Sequence, residues 1–493
     1  MNLPESVRWL FGVSLAVYLA AMLGLGFWAK GRVRDATDFL VAGRRLPLSL
    51  AWMTLLATWF GAGTMLTAAD AVSREGVRKA ALDPLGAGLC LLLAGLLVAR
   101  PLWQMGLLTV ADFFRIRFGP VSEFLASCIL VPSYFGWIAA QFVAMAEVLH
   151  LFFGLPVAWG ILAVAVLGTA YTLLGGMWSV TVTDAVQISL VLIGLVVLAG
   201  SALSHLGGGG RGPGSWLDGW WALSDGVSAE RWAIVPTESG DALLGWLAVL
   251  SIGALGNLPG QDLMQRIFAA RSATVARRAC WVAGTAYLGF GMLPVMLGIA
   301  APFILGDGHS ASVVPAMAAT LLTPALALIF LMAVVSAVLS TIDSAILAPS
   351  GIFAQNIIPR LVRRPLPMLA VNRWCVAGVA ASSLVMAYVG QGAYELLESS
   401  YEMILVGMFV PLMFGIYGKP RGGRPAVGCM LAGTGLWGWH QAWGWDEAFL
   451  APWLSPWGWS VPTSLGCTAV GLLAYLGIDR LATDSRTPPL SRP

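Results

Sequence analysis

The chain has 493 residues, of which 58% are hydrophobic and 11% are charged, and its formal net charge is +3. Soluble globular proteins carry about 25% charged residues, so this composition excludes a soluble globule and indicates a polytopic membrane protein. No short apolar segment with a small-residue cleavage site opens the chain, so we expect the first apolar stretch to remain as a helix.

Apolar runs of about 17 to 25 residues predict about thirteen membrane-spanning helices in an all-α protein. Their expected limits are 7–29, 47–71, 82–104, 121–151, 155–174, 180–203, 241–259, 281–304, 322–347, 374–390, 402–418, 425–445 and 460–478. With the N-terminus outside, 22 of the 28 Lys and Arg residues fall on the cytoplasmic side, as the positive-inside rule requires. We therefore expect a multi-pass protein of the cell membrane with an outside N-terminus and a cytoplasmic C-terminus.

The second predicted span, 47–71, contains a stretch, residues 51–70, with an unusual polar centre. Thr58, Gly61, Gly63 and Thr64 stand where a simple membrane anchor would carry Leu and Val. Backbone carbonyls freed by a helix break are tolerated at membrane depth only where they are buried in protein or line a cavity. We expect a broken helix of the kind that forms ion sites in secondary transporters. The alternative is that the glycines only permit close helix packing.

Spans two to six and seven to eleven form two blocks of five helices. Because five is odd, the second block enters the membrane from the opposite side, as an inverted repeat does. The first helix of the second block is also interrupted, at Gly253, Gly256, Asn257 and Pro259. Paired interruptions at corresponding positions point to a binding site at the interface of the repeats. The sequence thus predicts a five-plus-five inverted-repeat core with two broken helices.

The expected units follow from these blocks. Residues 261–279 are interpreted as a cytoplasmic loop whose arginines, Arg266 among them, serve as orientation charges and contact lipid headgroups. The units are 1–45 (extra N-terminal helix and cytoplasmic loop), 46–203 (first repeat), 204–240 (extracellular loop), 241–418 (second repeat) and 419–493 (two C-terminal helices and a cytoplasmic tail).

The ninth predicted span has one small, hydroxylated face. Small and hydroxyl residues recur there at helical spacing from Ala333 to Ser344, and valine, leucine and isoleucine cover the rest. The hydroxyls of Ser340 and Thr341, the carbonyl of Ala337 and two carbonyls freed in the broken helix could supply five oxygens to sodium. The alternative is a packing seam whose hydroxyls bond to their own backbone.

Three motifs together resemble the solute:sodium symporter family. They are Thr58-Trp-Phe-Gly-Ala-Gly63, Thr172-Leu-Leu-Gly-Gly-Met-Trp-Ser179 running to Thr183-Asp184, and Ala337-x-x-Ser340-Thr341-x-Asp343-Ser344. Within the family the chain is most similar in motifs to the high-affinity choline transporter branch. The resemblance covers about residues 35–418 and implies a sodium-driven, alternating-access symporter of the architecture described above.

The resemblance also implies ion sites. The family's sodium site falls on the carbonyls of Ala57, Phe60 and Ala337 and on the side chains of Ser340 and Thr341. A second sodium site found in some members would use Asp184 and Ser344. A carboxylate within the membrane is by default a functional hypothesis, although Asp184 could instead cap its helix at the cytoplasmic interface.

The substrate is less well defined. Trp59 and Trp137 match two aromatic positions of the choline cage, but the other two positions fall on Ala87 and Gly260. Half a cage fits a choline-like ammonium bound by cation–π attraction, and equally an amino acid or a carboxylate. The alternative role for either tryptophan is that of a gate or packing residue. The predicted substrate-binding residues are Trp59, Gly61, Gly63, Trp137, Gln141 and Asn257.

Two other function classes are alternatives to a transporter. An enzyme is not expected, because the four histidines are scattered and no cluster has metal-ligand or nucleophile–base spacing. A transporter-like solute sensor is the alternative, although the chain has only a short tail in place of an output domain. We expect sodium as coupling ion, no organic cofactor, and as partners a small organic solute, sodium and the lipid bilayer, without nucleic acid.

Overall fold

A computed structural model describes residues 5–209, 213–306, 312–362, 366–389, 393–445, 448–454 and 460–481. These residues are almost entirely helical. Within them the only β-type pairings are two isolated bridges, Leu46 with Ala270 and Ala448 with Pro462. Helices satisfy every backbone polar group within one segment, which is what a chain in a bilayer requires. The all-α prediction is confirmed.

The helices, numbered in chain order, are α1 Glu5–Lys30, α2 Ala36–Val41, α3 Leu48–Trp59, α4 Gly63–Glu75, α5 Val77–Gln104, α6 Val110–Phe118, α7 Pro120–Phe153, α8 Val157–Gly207, α9 Trp216–Gly226, α10 Ala229–Trp232, α11 Gly240–Ser251, α12 Gln261–Ala269, α13 Ala273–Leu305, α14 Val313–Leu321, α15 Pro324–Leu361, α16 Met368–Val389, α17 Ala393–Ile404, α18 Val410–Tyr417, α19 Arg424–Trp443, α20 Ala451–Leu454 and α21 Thr463–Leu481. A π-helical turn, Ile252–Gly256, extends α11, and another, Leu405–Phe409, joins α17 to α18.

Ten helices of the described residues are long and apolar enough to cross a membrane, or eleven if α3 and α4 count as one bent span. The predicted count of thirteen is not confirmed. The two further predicted spans coincide with the shorter apolar helix Val157–Ala170 and with α19, neither of which is among the ten. Val157–Ala170 is the first part of α8, which kinks at Gly176, where φ is 52° and ψ is −144°.

The predicted break in the second span is present. α3 ends at Trp59, α4 begins at Gly63, and the two halves are bent by 56°. The second break lies between α11 and α12, where a turn closes with a hydrogen bond from Gly260 N to Asn257 O of 2.9 Å. Both interruptions fall on the glycine-containing stretches that predicted them. The core therefore has two broken helices.

The sequence-based assignment of residues 261–279 to a cytoplasmic loop is wrong for its first half. α12 occupies Gln261–Ala269, and every one of its residues is buried. α12 packs against α3, α13 and α15. Its charged side chains escaped detection as an interior helix because hydropathy treats a buried charge as a loop signal, whereas here those charges have polar partners within the bundle.

α15 forms the centre of the bundle and packs most extensively against α8. Its residues from Phe330 to Ile352 are buried, with the single exception of a half-buried Met332. α1 lies at the periphery against α8, and only 17% of the residues in its most apolar stretch are buried. The predicted extracellular loop 204–240 contains α9 and α10, and its residues 210–212 lie outside the described residues. The predicted tail beyond residue 481 also lies outside them.

Candidate functional site

The first helix break leaves the carbonyl oxygen of Ala57 without its helical partner. In a continuing helix the N–H of Gly61 would donate to Ala57 O, but here it donates to Trp59 O at 2.9 Å. Phe60, with φ −82° and ψ 60°, is the residue that turns the chain. A freed carbonyl at membrane depth needs another donor or a cation. Ala57 O is therefore available to a neighbouring helix.

The hydroxyl face of α15 meets this carbonyl. Ser340 Oγ donates toward both Ala57 O at 3.0 Å and Ala337 O at 2.9 Å. Thr341 Oγ1 donates to Ala337 O at 3.0 Å. Ser340 and Thr341 are each 1% exposed. The structure thus brings together oxygens of four of the five residues predicted to bind sodium. No hydrogen bond of the described residues joins the Phe60 carbonyl to this group.

Gln141 and Gly61 hold the two sides of the break together. Gln141 Oε1 accepts a hydrogen bond from the Ala62 N–H at 2.9 Å, which caps the start of α4. A Cβ built on Gly61 would overlap Thr341 Oγ1 and would lie 2.9 Å from Gln141 Oε1. Only a residue without a side chain fits between them. Gln141 and Gly61, which were predicted to bind substrate, therefore shape the broken segment.

Trp59, the last residue of α3, reaches the second broken helix. Its indole Nε1 donates to Asp262 Oδ2 at 2.5 Å. Tyr134 OH, on α7, donates to Asp262 Oδ1 at 2.5 Å. Trp59 is 8% exposed and Asp262 is 4% exposed. The carboxylate of Asp262 is thus a buried link between the first broken helix, the second broken helix and α7.

A small cavity of about 10 Å³, the space of about one water molecule, lies beside this link. Its lining residues come from α7, the second break, α12 and α17: Ser133, Tyr134, Trp137, Asn257, Asp262, Ser400, Tyr401 and Ile404. The Trp137 ring lies 5.7 Å from the Tyr134 ring and 6.1 Å from the Tyr401 ring, centroid to centroid. A larger, more open cavity between α8, α9 and α14 contains none of these residues. The smaller cavity is the candidate solute site.

The structure divides the residues predicted for substrate binding into two groups. Trp137 and Asn257 line the cavity. Gly61, Gly63 and Gln141 lie at the break, where Gly63 O accepts a hydrogen bond of 2.8 Å from Thr67 Oγ1. Trp59 lies at the break and does not line the cavity, but its indole reaches Asp262, which does.

Sequence reasoning missed Asp262, Tyr134 and Tyr401. The spacing of Tyr134, Trp137 and Gln141 on one helix puts all three on one face, so a signal for Tyr134 was available. Asp262 and Arg266 are also four residues apart, as partners on an interior helix would be. That signal was obscured because the segment was assigned to a loop.

Asp83, on α5, is a second buried carboxylate that sequence reasoning missed. It lies 2.9 Å and 3.0 Å from Thr64 Oγ1 and accepts a hydrogen bond of 2.9 Å from Tyr287 OH. The same tyrosine hydroxyl lies 2.9 Å from Trp59 O. Asp83 therefore supports the break through Thr64 and Tyr287, and it is not among the residues that line the cavity.

Asp184 lies inside the bundle, not at a helix end. It is fully buried in the second part of α8, and its Oδ2 accepts a hydrogen bond of 2.5 Å from Thr54 Oγ1 of α3. Its Oδ1 has no hydrogen-bond partner among the described atoms. Helix capping at the interface, the alternative considered for this residue, does not match that position.

Ser344 lies in the same cluster, one helical turn beyond the Ser340–Thr341 pair. Its hydroxyl lies 3.2 Å from Thr58 Oγ1, which in turn donates to Thr54 O at 2.7 Å. Ser344 Oγ also contacts a guanidinium nitrogen of Arg266. Arg266 was predicted to be a cytoplasmic orientation charge, and that prediction is wrong, because the side chain is 1% exposed and its Nη1 donates to Asp262 O at 3.1 Å.

The family model described as "Sodium:solute symporter family" matches residues 39–433 of this chain. The human high affinity choline transporter 1 is 26% identical over 450 residues, covering 86% of this chain and 75% of that protein. The sodium/glucose cotransporter of Vibrio parahaemolyticus is 24% identical over 329 residues, covering 62% of this chain and 58% of that protein.

Solved transporters share the fold. A Na⁺-coupled sialic acid symporter in a substrate-bound, outward-open state aligns with a TM-score of 0.76 and 18% identity, covering 97% of this chain and 98% of that one. A nucleobase-cation-symport-1 family transporter in a closed conformation aligns with a TM-score of 0.54 and 15% identity, covering 91% of this chain and 95% of that one. The predicted transporter fold is confirmed.

The space at Gly61 supplies the first test. Gly61→Ala should push apart Thr341 and Gln141, and overpacking of this kind typically costs about 1–3 kcal/mol. We expect a lower unfolding temperature and a weaker stabilisation by sodium, both measured by thermal unfolding of the purified protein. Gly245→Ala in α11 is the matched control, because its Cβ meets nothing within 4 Å. An alanine at position 61 that leaves sodium stabilisation unchanged would contradict the described geometry.

Proposed function

Since this chain belongs to the sodium:solute symporter family, we propose that it imports a small organic solute together with sodium by alternating access. Membership of this family makes it a sodium-coupled transport protein and not an enzyme. The observation that carries the finer proposal is the contact between the freed Ala57 carbonyl and the Ser340 hydroxyl. It unites the helix break with the hydroxyl face at the centre of the bundle.

The proposed sodium site consists of the carbonyls of Ala57, Phe60 and Ala337 with the hydroxyls of Ser340 and Thr341. Unwound carbonyls and helix ends that meet at a repeat interface are typical ligands for a coupling ion. The hydroxyl proton of Ser340 contacts two of these carbonyls, those of Ala57 and Ala337. Sodium would replace that proton contact, because a cation can attract several oxygens at once while a hydroxyl has one proton.

The proposed solute site is the cavity beside the second break. Trp137 and Asn257 contact the solute directly, and Trp59 acts at its edge through Asp262. Gly61, Gly63 and Gln141 contribute by holding the broken segment that carries Trp59. The described aromatic wall is more complete than half a cage, since Tyr134 and Tyr401 join Trp137. The lining matches the chemistry of a small solute with a cationic, apolar or zwitterionic group.

Ion and solute are coupled through the short segment from Ala57 to Trp59. Sodium on the Ala57 carbonyl fixes the end of α3, and the indole of Trp59 then holds the carboxylate of Asp262 at the cavity wall. Each ligand thereby stabilises an arrangement that the other needs. Coupling of this kind is reciprocal and is typically about 5- to 150-fold in affinity.

We also propose an orientation and a location. Apart from Arg266, which is buried in the bundle, 21 of the other 27 Lys and Arg residues fall inside when the N-terminus is placed outside the cell, so the C-terminus is cytoplasmic. The protein then lies in the cell membrane, with lipid around its outer helices. Solute and sodium would enter from the side that faces the 204–240 segment.

Gradient-driven uptake tests the function and separates it from the sensor alternative. In proteoliposomes the wild type should accumulate a solute when an inward sodium gradient is imposed and should stop when the gradient is removed. A sensor would bind solute without accumulating it. The substrate panel should include choline, because choline transporters are among the relatives, together with amino acids and small carboxylates.

Replacing both Ser340 and Thr341 by Ala removes two oxygen ligands and retains a helix-forming residue at each position. Hydrogen bonds and ion contacts to charged groups contribute roughly 1.5–3 kcal/mol each, so we expect the apparent sodium affinity to fall more than about tenfold. Sodium-dependent thermal stabilisation and uptake both report this loss. The control is Ser382→Ala on α16, whose exposed hydroxyl bonds only to its own helix. Wild-type sodium affinity in the double variant would remove these residues from the site.

Asp184 and Ser344 are proposed as a second sodium site. Asp184 Oδ1 is the unpartnered oxygen that supports it, while the Arg266 guanidinium already contacts Ser344 Oγ and would compete with an ion there. Asp184→Asn keeps the shape of the side chain and removes its charge. We expect a changed sodium activation curve or stoichiometry at near-normal expression. If the purified variant transports with wild-type sodium dependence, Asp184 has only a structural role.

A further inference from the structure

The carboxylate of Asp262 is buried beside the cavity without a cationic partner. Both oxygens accept hydrogen bonds from neutral donors, the indole of Trp59 and the hydroxyl of Tyr134, each at 2.5 Å. The nearby guanidinium of Arg266 bonds to the backbone oxygen of Asp262 and to Ser344. No salt bridge joins the Asp262 carboxylate to a cation in the part of the chain that the structure describes.

A buried carboxylate in this position is costly unless a positive charge joins it. Neutral hydrogen bonds compensate only part of the hydration that an ionised group loses on burial. Each carboxylate oxygen accepts about two hydrogen bonds, so the two donors leave acceptor capacity unused. A cationic group in the cavity would supply both the missing charge and the missing donors.

Two other polar groups of the cavity wall, Ser133 and Asn257, also carry acceptors. Ser133 Oγ donates its proton to Leu130 O at 2.8 Å, so it presents lone pairs to its surroundings. Asn257 Nδ2 donates one of its two N–H groups to Gly253 O at 3.3 Å, and its amide oxygen is an acceptor. The Tyr134 proton is directed to Asp262. A solute that carries N–H donors complements these acceptors.

Aromatic rings complete the wall on the sides without acceptors. Trp137 stands between Tyr134 and Tyr401, with ring centroids 5.7 Å and 6.1 Å away. Aromatic faces attract cations through the ring quadrupole, and the attraction grows when the cation is desolvated. The carboxylate and the rings therefore favour the same ligand charge.

We propose that the solute is a small protonated amine, and that Asp262 accepts hydrogen bonds from its ammonium group beside the rings of Trp137 and Tyr401. The proposal rests on the function proposed above, because it takes the cavity as the solute site. The proposal distinguishes this cavity from a site that binds quaternary ammonium ions. A quaternary ammonium would satisfy the charge of Asp262 but would leave the acceptors of Ser133 and Asn257 without donors.

The test is a methylation series on one carbon skeleton, in which each step removes an N–H donor and keeps the positive charge. Ethanolamine, its N-methyl and N,N-dimethyl derivatives and choline form the series, and glycolate and ethylene glycol supply an anion and a neutral molecule of similar size. Matched series on propylamine and benzylamine extend the size range. Binding is measured by thermal unfolding of the full-length protein at fixed sodium concentration and by isothermal titration.

We expect the primary amine of at least one series to bind more than about tenfold more tightly than its quaternary derivative, since a hydrogen bond to a charged group contributes more than a tenfold change in affinity. Glycolate and ethylene glycol should not stabilise the protein. Equal or tighter binding of the quaternary members, or binding of no amine in any series, would overturn the proposal.

Variants of the carboxylate separate its role from folding. Asp262→Asn should lose amine binding by at least about tenfold, and Asp262→Glu, which keeps the charge, should retain part of it. Asp225→Asn at an exposed position is the matched control. Asparagine at position 262 keeps one acceptor oxygen for the indole of Trp59, and its amide N–H can donate to the Tyr134 hydroxyl, so the fold should persist. Wild-type amine affinity in Asp262→Asn would overturn the proposal.

Sodium-induced stabilisation, measured without solute, reports the proposed function separately. If sodium stabilises both the wild type and Asp262→Asn while amines bind neither, the amine proposal fails and the sodium site stands. If amines bind in an Asp262-dependent manner that sodium does not alter, the amine proposal stands and the symport proposal fails. The two results do not overlap.

Discussion

The arrangement depends on one carbonyl oxygen. Ala57 O loses its helical donor because the Gly61 N–H bonds to Trp59 O, and Ser340 Oγ of α15 takes that donor's place at 3.0 Å. In a bilayer no water is available to satisfy the oxygen, so the break can exist only where the central helix presents a hydroxyl or a cation is bound. A broken helix and a hydroxylated neighbour are thus two halves of one requirement.

The other polar contacts extend from that point in two directions. Towards the cavity, Trp59 holds Asp262, whose second oxygen is held by Tyr134. Towards α8, Thr54 holds Asp184, and Ser344 links Thr58 to Arg266. Four buried carboxylates and one buried guanidinium occupy the described part of the bundle near the break, each with polar partners: Asp83, Asp184, Asp262, Asp343 and Arg266. Such groups are expensive in the membrane interior and are usually retained for ion or substrate pathways.

Much of this arrangement could be predicted from sequence. The break was visible because glycine and threonine interrupt an apolar run, and the hydroxyl face was visible because Ser340, Thr341 and Ser344 recur at helical spacing. Asp262 and Arg266 were missed for a physical reason. Hydropathy assigns charge to loops, and only the three-dimensional structure shows that α12 continues into the bundle after the second break. Tyr401 was also missed, because it comes from a distant helix that no local pattern connects to Trp137.

The central claim is that Trp59 transmits the state of the ion site to the solute cavity, and it is tested by solute affinity measured with and without sodium. The solute is the one that gives the largest sodium-dependent stabilisation, and the proteins are the wild type and Trp59→Phe. Phenylalanine keeps an aromatic ring but has no N–H for Asp262. The account predicts a wild-type increase in affinity on adding sodium within the usual range of about 5- to 150-fold, and a factor near one in the variant with unchanged sodium binding. A wild-type factor in Trp59→Phe would contradict it.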